Sequence, residues 1–256
     1  MIKNSKKLLL SSLAATALFA TTSNAGVLVD FEVGAGSWNA NPSGSMHLGQ
    51  TVDIEKDLGF SDSNNAYVYA DFNHFVPLVP NIRIEQQELS TNAAAVGAFS
   101  WNGNSITQGK QTDIDLKQQD LLLYWGVPGL NLLSAGIIDV NFGIDIKKFD
   151  GSVTIDNDKS KLDFIVPMGY IGATIDPPFI PAQLSASYKT IRYDGSSLND
   201  LMAKVSIELP IPIPLIDIKF DVGYKEQSLD ISSSLSDNIS ADIKFSGMFF
   251  GVSAKF

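Results

Sequence analysis

Between Ile138 and Lys147, apolar and polar residues alternate without a break: Ile138, Val140, Phe142, Ile144 and Ile146 against Asp139, Asn141, Gly143, Asp145 and Lys147. A period of two puts these sets on opposite faces of a strand, whereas a helix would mix them. The pattern recurs in Ile216, Ile218, Phe220, Val222 and Tyr224 against Asp217, Lys219, Asp221, Gly223 and Lys225. It appears again near the start, where Val27, Val29, Phe31 and Val33 oppose Asp30 and Glu32. One face of each segment is too apolar for water. The chain is therefore expected to be all-β.

Extending this period predicts ten strands, at about 27–38, 66–76, 82–100, 113–125, 132–148, 161–175, 183–193, 200–209, 215–226 and 239–256. Most are long enough for the 9 to 11 tilted residues that cross a bilayer's hydrocarbon core. Strands of soluble domains average nearer five or six. Ten is even, as bacterial single-chain barrels require. The expectation is a transmembrane antiparallel up-and-down β-barrel, with eight or twelve strands as the alternatives. The third and fourth strands are the least regular, because Ala93 to Ala95 and Leu121 to Leu123 blur the alternation, and Pro167 predicts a bulge or a misplaced sixth strand.

The connections alternate in character. The odd ones read as long and polar (39–65, 102–112, 149–160, 194–199 and 227–238) and the even ones as short. The even connections hold nine of the eleven prolines: Pro77, Pro80, Pro128, Pro177, Pro178, Pro181, Pro210, Pro212 and Pro214. A barrel with tight turns at one end and loops at the other accounts for that segregation. Trp38, Tyr67, Tyr69, Trp101 and Tyr193 fall at loop ends, and Tyr124, Trp125, Tyr170 and Phe256 toward turn ends, which predicts two interfacial aromatic girdles.

Residues 1–25 stand apart. Lys3, Lys6 and Lys7 precede an apolar stretch from Leu8 to Ala20, and Ser23-Asn24-Ala25 ends it with small residues. This is the pattern of a cleaved signal peptide, too short for a membrane span. Without it, a single domain of residues 26–256 carries 28 acidic against 15 basic residues. Such a surface repels phosphate backbones, so no nucleic-acid partner is expected. The absence of cysteine excludes disulfides and thiolate metal sites.

The chain closes on Phe249-Phe250-Gly251-Val252-Ser253-Ala254-Lys255-Phe256. A terminal phenylalanine on an alternating strand resembles the carboxy-terminal signature of Gram-negative outer-membrane barrels. The resemblance implies that Phe256 is read by their assembly machinery. Gly34-Ala35-Gly36-Ser37-Trp38, residues 72–83 and Tyr193-Asp194-Gly195-Ser196-Ser197-Leu198 are similar to segments of a small, functionally uncharacterised family of proteobacterial outer-membrane barrels. That resemblance spans nearly the whole mature chain, implies outer-membrane location and transfers no catalytic residue.

Ten strands enclose a backbone cylinder on the order of 20 Å across, too narrow for a wide porin channel. The expected lumen lining is Asp30, Glu32, Asp71, Asp139, Asp145, Lys147, Asp217, Lys219, Asp221 and Lys225. The first reading of this set is structural, with opposite charges pairing in a polar interior. The functional reading is a narrow, cation-leaning passive channel. In the long connections and at their edges thirteen acidic residues, Asp113, Asp200 and Glu226 among them, face five lysines; these keep the surface hydrated or, through divalent cations, meet lipopolysaccharide phosphates. Outer-membrane lipid, lipopolysaccharide and the assembly machinery are thus the expected partners.

The alternative is an envelope adhesin acting through its loops, followed by an embedded hydrolase. For the hydrolase the material is thin, since His47 and His74 fall at opposite ends and Asp71 and Asn73 point away from His74. Asp156-Asn157-Asp158 fails as a calcium loop because Lys161 and Pro167 occupy its glycine and glutamate positions. Gly34-Ala35-Gly36 lacks a following helix and is no nucleotide cradle; small residues there ease strand packing. No catalytic residue, cofactor or metal is expected.

Overall fold

The computed structural model describes residues 29–48, 50–76, 78–101, 104–211, 213–232 and 239–256. The signal peptide expected over 1–25 lies outside the described residues. The elements are β1 (Val29–Leu48), β2 (Thr51–Asp53), β3 (Ser63–His74), β4 (Asn81–Ala94), β5 (Phe99–Trp101), β6 (Asn104–Ile106), β7 (Gln111–Gly126), α1 (Leu130–Leu133), β8 (Ile138–Ile155), β9 (Asp158–Ile175), β10 (Ala182–Tyr193), β11 (Ser196–Glu208), β12 (Asp217–Ile231) and β13 (Ile239–Lys255). Ten of them, β1, β3, β4 and β7 to β13, pair antiparallel in chain order, and β13 pairs back onto β1. The sheet is a closed up-and-down barrel. Its seam runs from Glu32 opposite Lys255 to Leu48 opposite Ile239. Beyond it the Phe256 amide donates to the Phe31 carbonyl at 2.8 Å, so the last residue helps close the ring of strands.

Most strands stand where the alternation puts them and several run further, but the strand expected to reach residue 100 stops at Ala94, and the one expected from residue 132 begins at Ile138, after α1 and a turn. β1 extends to Leu48 instead of ending near Trp38. β8 and β9 meet across Asp156-Asn157, and β10 and β11 across Asp194-Gly195, so two connections expected to be long are two-residue turns. Asp194 and Gly195 both have positive φ, 46° and 79°, as a type I′ hairpin turn requires. At the other end, 127–137 is the longer connection and holds the one-turn helix α1. Proline marks that end because the strands stop there, not because the links are short.

Pro167 sits in an unbroken register opposite Ile146, without the expected bulge. The β9–β10 ladder stops at Gly169, so Pro167 lies where β9 is bonded on one side only. A missing donor is tolerated at such an edge.

The outer wall divides sharply. Toward the proline-rich end it is apolar: Leu121 on β7, Ile144 and Ile146 on β8, Tyr224 on β12, and Phe250 and Met248 on β13 are all exposed. Further along the same faces come Gln119 and Lys117, Lys148 and Asp150, Glu226, and Ser246 and Lys244. The expected girdles are only partly there: Tyr193, Phe256 and Trp125, which stacks on exposed Phe142, stand outside. Trp38, Tyr67, Tyr69, Trp101 and Tyr124 are buried inside the barrel. Parity explains this, since Tyr67 and Tyr69 fall in step with lumen-facing Asp71 and not with the outward Val68 and Phe72.

Candidate functional site

The feature that decides what this barrel can do is its interior, because the described loops present no comparable cluster of side chains. Near the proline-rich mouth, Asp30 pairs with Lys255 at 3.1 Å and remains half in solvent. Asp217 stands in register with Lys255, and Asp139 with Thr174, at the same end. Deeper in, the Tyr69 hydroxyl donates to Glu32 at 2.5 Å, and Lys219 lies 3.9 Å from the same carboxylate. The Tyr124 hydroxyl donates to Asp71 at 2.7 Å, and Arg83 approaches Asp71 at 3.5 Å. Asp221 pairs with Lys204 at 3.2 Å.

The middle of the lumen is a continuous ionic lattice. Lys189 reaches Glu85 at 2.8 Å, Asp120 at 2.6 Å and Asp145 at 3.4 Å. Lys147 shares Asp120 at 2.7 Å and contacts Asp200 at 3.3 Å, and Lys225 holds Asp200 at 3.2 Å. All these groups are buried. Three lysines thus stitch together β4, β7, β8, β10, β11 and β12. Just above, Gln118 on β7 and Gln227 on β12 donate to one another's carbonyls, both at 2.8 Å. β7 and β12 lie five strands apart around a ring of ten, so this amide pair spans a diameter.

Above the lattice the interior becomes apolar. Val52, Ile54, Leu58 and Phe60 of the first connection, with Phe99, Trp101 and Ile106 of the third, pack against Trp38, Ile114 and Ile155. These connections, expected to be polar loops, are instead partly folded inward as a stopper. Their apolar spacing was present in the sequence, but nothing local says that the cavity receiving it exists. The Thr112 hydroxyl donates to the Leu58 carbonyl at 2.8 Å and ties the stopper to β7.

Of the ten residues expected to line the lumen, Glu32, Asp71, Asp145, Lys147, Asp221 and Lys225 join the buried networks, Lys219 reaches Glu32, and Asp30, Asp139 and Asp217 stay at the mouth. Arg83, Glu85, Asp120, Lys189, Asp200 and Lys204 were not in that set. Arg83 and Glu85 alternate with Ile82 and Ile84, a signal that was available. Asp120 was masked by the leucine run 121–123, of which Leu122 is buried in the lumen. Asp200, grouped with the surface acids, is only 4% exposed. The six added groups are three acids and three bases, so the excess of four acids is unchanged, but the added lysines hold the central carboxylates in ion pairs.

His74 is on the outer face. Its Nδ1 accepts from the Val76 amide at 3.2 Å and its Nε2 donates to the Pro80 carbonyl at 3.1 Å, so both nitrogens serve the adjoining loop. His47 lies toward the far end of β1, beside Thr51 at 3.2 Å. Asp156 forms part of a hairpin turn and pairs with Lys110 at 3.0 Å. Among the described residues no group of three or more His, Asp or Glu is placed to hold a metal ion.

Comparison with solved structures returns outer-membrane β-barrels. The outer membrane protease OmpT from Escherichia coli aligns with a TM-score of 0.47 at 10% identity, over 93% of this chain and 99% of that one. Neisserial surface protein A gives 0.36 at 12% identity over 88% and 97%, and the translocator domain of the autotransporter NalP from Neisseria meningitidis gives 0.41 at 10% over 90% and 89%. No protein-family model and no curated protein matches the sequence. The closed barrel itself rests on this chain's own strand ladder.

Proposed function

We propose that the protein is a non-enzymatic, non-conducting outer-membrane barrel that serves as a structural surface protein. The observation that carries this reading is the Gln118–Gln227 pair across the full lumen, resting on the lysine–carboxylate lattice. A cation would have to displace Lys147, Lys189 or Lys225 from partners they need in a desolvated interior. The expected passive channel therefore gives way to the structural alternative. Outer-membrane location is supported by the exposed apolar lower wall. Lipopolysaccharide and the assembly machinery are the proposed partners. The polar upper wall, including a dent of about 300 Å³ lined by Asp113, Asp115, Asp156 and Lys159, is where lipopolysaccharide or an envelope partner would meet the barrel.

Planar-bilayer recording of refolded protein tests the proposal. Silence is expected in the parent. A steady cation-selective current, weakened by Asp145→Asn, would restore the channel.

A further inference from the structure

We propose that the four proline-rich connections sink into the lipid leaflet at their end of the barrel, and that their prolines are there to remove hydrogen-bond donors from backbone lying in an apolar interface. This rests on the membrane-barrel reading above. The occupant we assign to this apolar crown is lipid. Its surface is continuous with the outer wall that the strands present to the bilayer.

Height comes first. Outward residues on a tilted strand climb about 5 Å each, and an outer-membrane barrel needs an apolar band about 25 Å tall. On β4 the outward face offers only Ile82 and Ile84 before Gln86 and Glu88, roughly 10 Å of band by the same geometry. The paired β7 adds Leu121, Leu123 and Trp125 before Gln119. β4 and β7 are thus shorter in apolar surface than the band, whereas β8 reaches it with Ile138, Val140, Phe142, Ile144 and Ile146. The loops extend it: Leu78 is 92% exposed and Phe179 95%, and Leu132, Leu133 and Leu215 are almost as open. No water-soluble turn has reason to present such side chains.

Placement comes second. Among the described residues of the connection after β3, Val76, Leu78 and Pro80 are held by outward side chains. Trp125, which stacks on outward Phe142, donates from Nε1 to the Leu78 carbonyl at 3.2 Å. His74, beside outward Phe72, holds the same loop by Val76 and Pro80. The charged groups on the strands of this end, Asp30, Asp139, Asp217 and Lys255, occupy the inward parity, and Asp176, within the connection after β9, accepts from Gln183 at 2.8 Å.

Backbone chemistry comes third. Polar backbone in an apolar medium must be satisfied internally, and each proline has one fewer group to satisfy. In 209–216, alternate prolines leave five amides, of which Leu209, Ile211, Ile213 and Ile216 donate to carbonyls of Ile218, Leu209, Ile211 and Ile213. In 176–181, three prolines leave three amides; Asp176 donates to Ile137 and Ile180 to Pro177. Side chains of such a loop enter the acyl boundary while the backbone stays at the headgroup level, the depth an interfacial segment occupies.

The chain has no cysteine, so single labels are clean. Leu132→Cys, Phe179→Cys and Leu215→Cys, each carrying an environment-sensitive fluorophore, are refolded into phosphatidylcholine vesicles. Ile144→Cys on the outer wall and Lys159→Cys at the opposite end are references. Insertion of each is checked by heat-modifiable gel mobility, and three loop sites guard against one that fails to fold. We expect brominated acyl chains to quench the loop labels at least half as strongly as the Ile144 label, with iodide quenching only the Lys159 label. If iodide reaches the loop labels while Ile144 stays quenched by bromine, the loops stand in water or await a protein partner, and the inference fails with the membrane reading intact. If iodide also reaches Ile144, both fail.

Discussion

Gly34 and Gly36 face the lumen at positions where a Cβ has no room. One built on Gly36 would lie 2.7 Å from a ring carbon of Phe249, and one on Gly34 would enter the Tyr69 ring. The small residues thus make way for the aromatic packing of the interior, including the edge-on contact of Tyr67 with Phe249 at 5.4 Å. Gly36→Val is predicted to cost about 1–3 kcal/mol, the usual range for overpacking, read from urea unfolding in lipid vesicles; unchanged stability would refute the steric account. Asp53 organises the first connection by accepting from the amides of Glu55 at 3.0 Å and Lys56 at 2.9 Å. The Lys56 amide, followed by its ammonium, holds this exposed carboxyl below the usual range. A depressed folded pKa means that the stabilisation is complete above the ordinary carboxylate value and is lost as pH falls through the folded one. Amide exchange at Glu55 and Lys56 should therefore accelerate, beyond the intrinsic pH trend, only in that acid window. An exchange profile identical in Asp53→Ala would remove Asp53 as the cause.

At the level of elements, alternation in β8 and β12 located the strands because one face of each must leave water. Two-residue turns were equally readable in Asp194-Gly195, yet that segment was expected to be a longer loop. What could not be read was which loops turn inward. Leu58 and Phe60 look like any apolar pair in a connection until the barrel offers a place to bury them. Leu58→Ala is predicted to destabilise by about 2–5 kcal/mol as a buried large-to-small change, a loss that a surface loop would not show in the same unfolding assay. Likewise Lys189 is one of two basic residues in β10, and only closure sets it against Glu85, Asp120 and Asp145. Lys189→Met leaves those acids without their shared cation and should cost about 3–5 kcal/mol. A neutral effect in urea titration would mean that the lattice is dispensable.

For the molecule as a whole, two seals act in series: the apolar stopper of the first and third connections and the charged lattice beneath it. Replacing 95–110 by a short hairpin turn removes part of the first and leaves the second. Bilayer recordings of that variant are predicted to remain silent; a current would locate the seal in the loops. The sequence by itself determined the class, the positions of the strands, the apolar outer wall and the proline-marked end, because all of these follow from which neighbours along one chain share a face. It predicted ten strands, as the ladder has, but left their closure and the state of the lumen undetermined. Both depend on β13 meeting β1 and on side chains from opposite walls, such as Gln118 and Gln227, arriving at the same point. Residues 109 positions apart carry no mutual signal in a single chain, and only ring closure brings them within hydrogen-bonding distance.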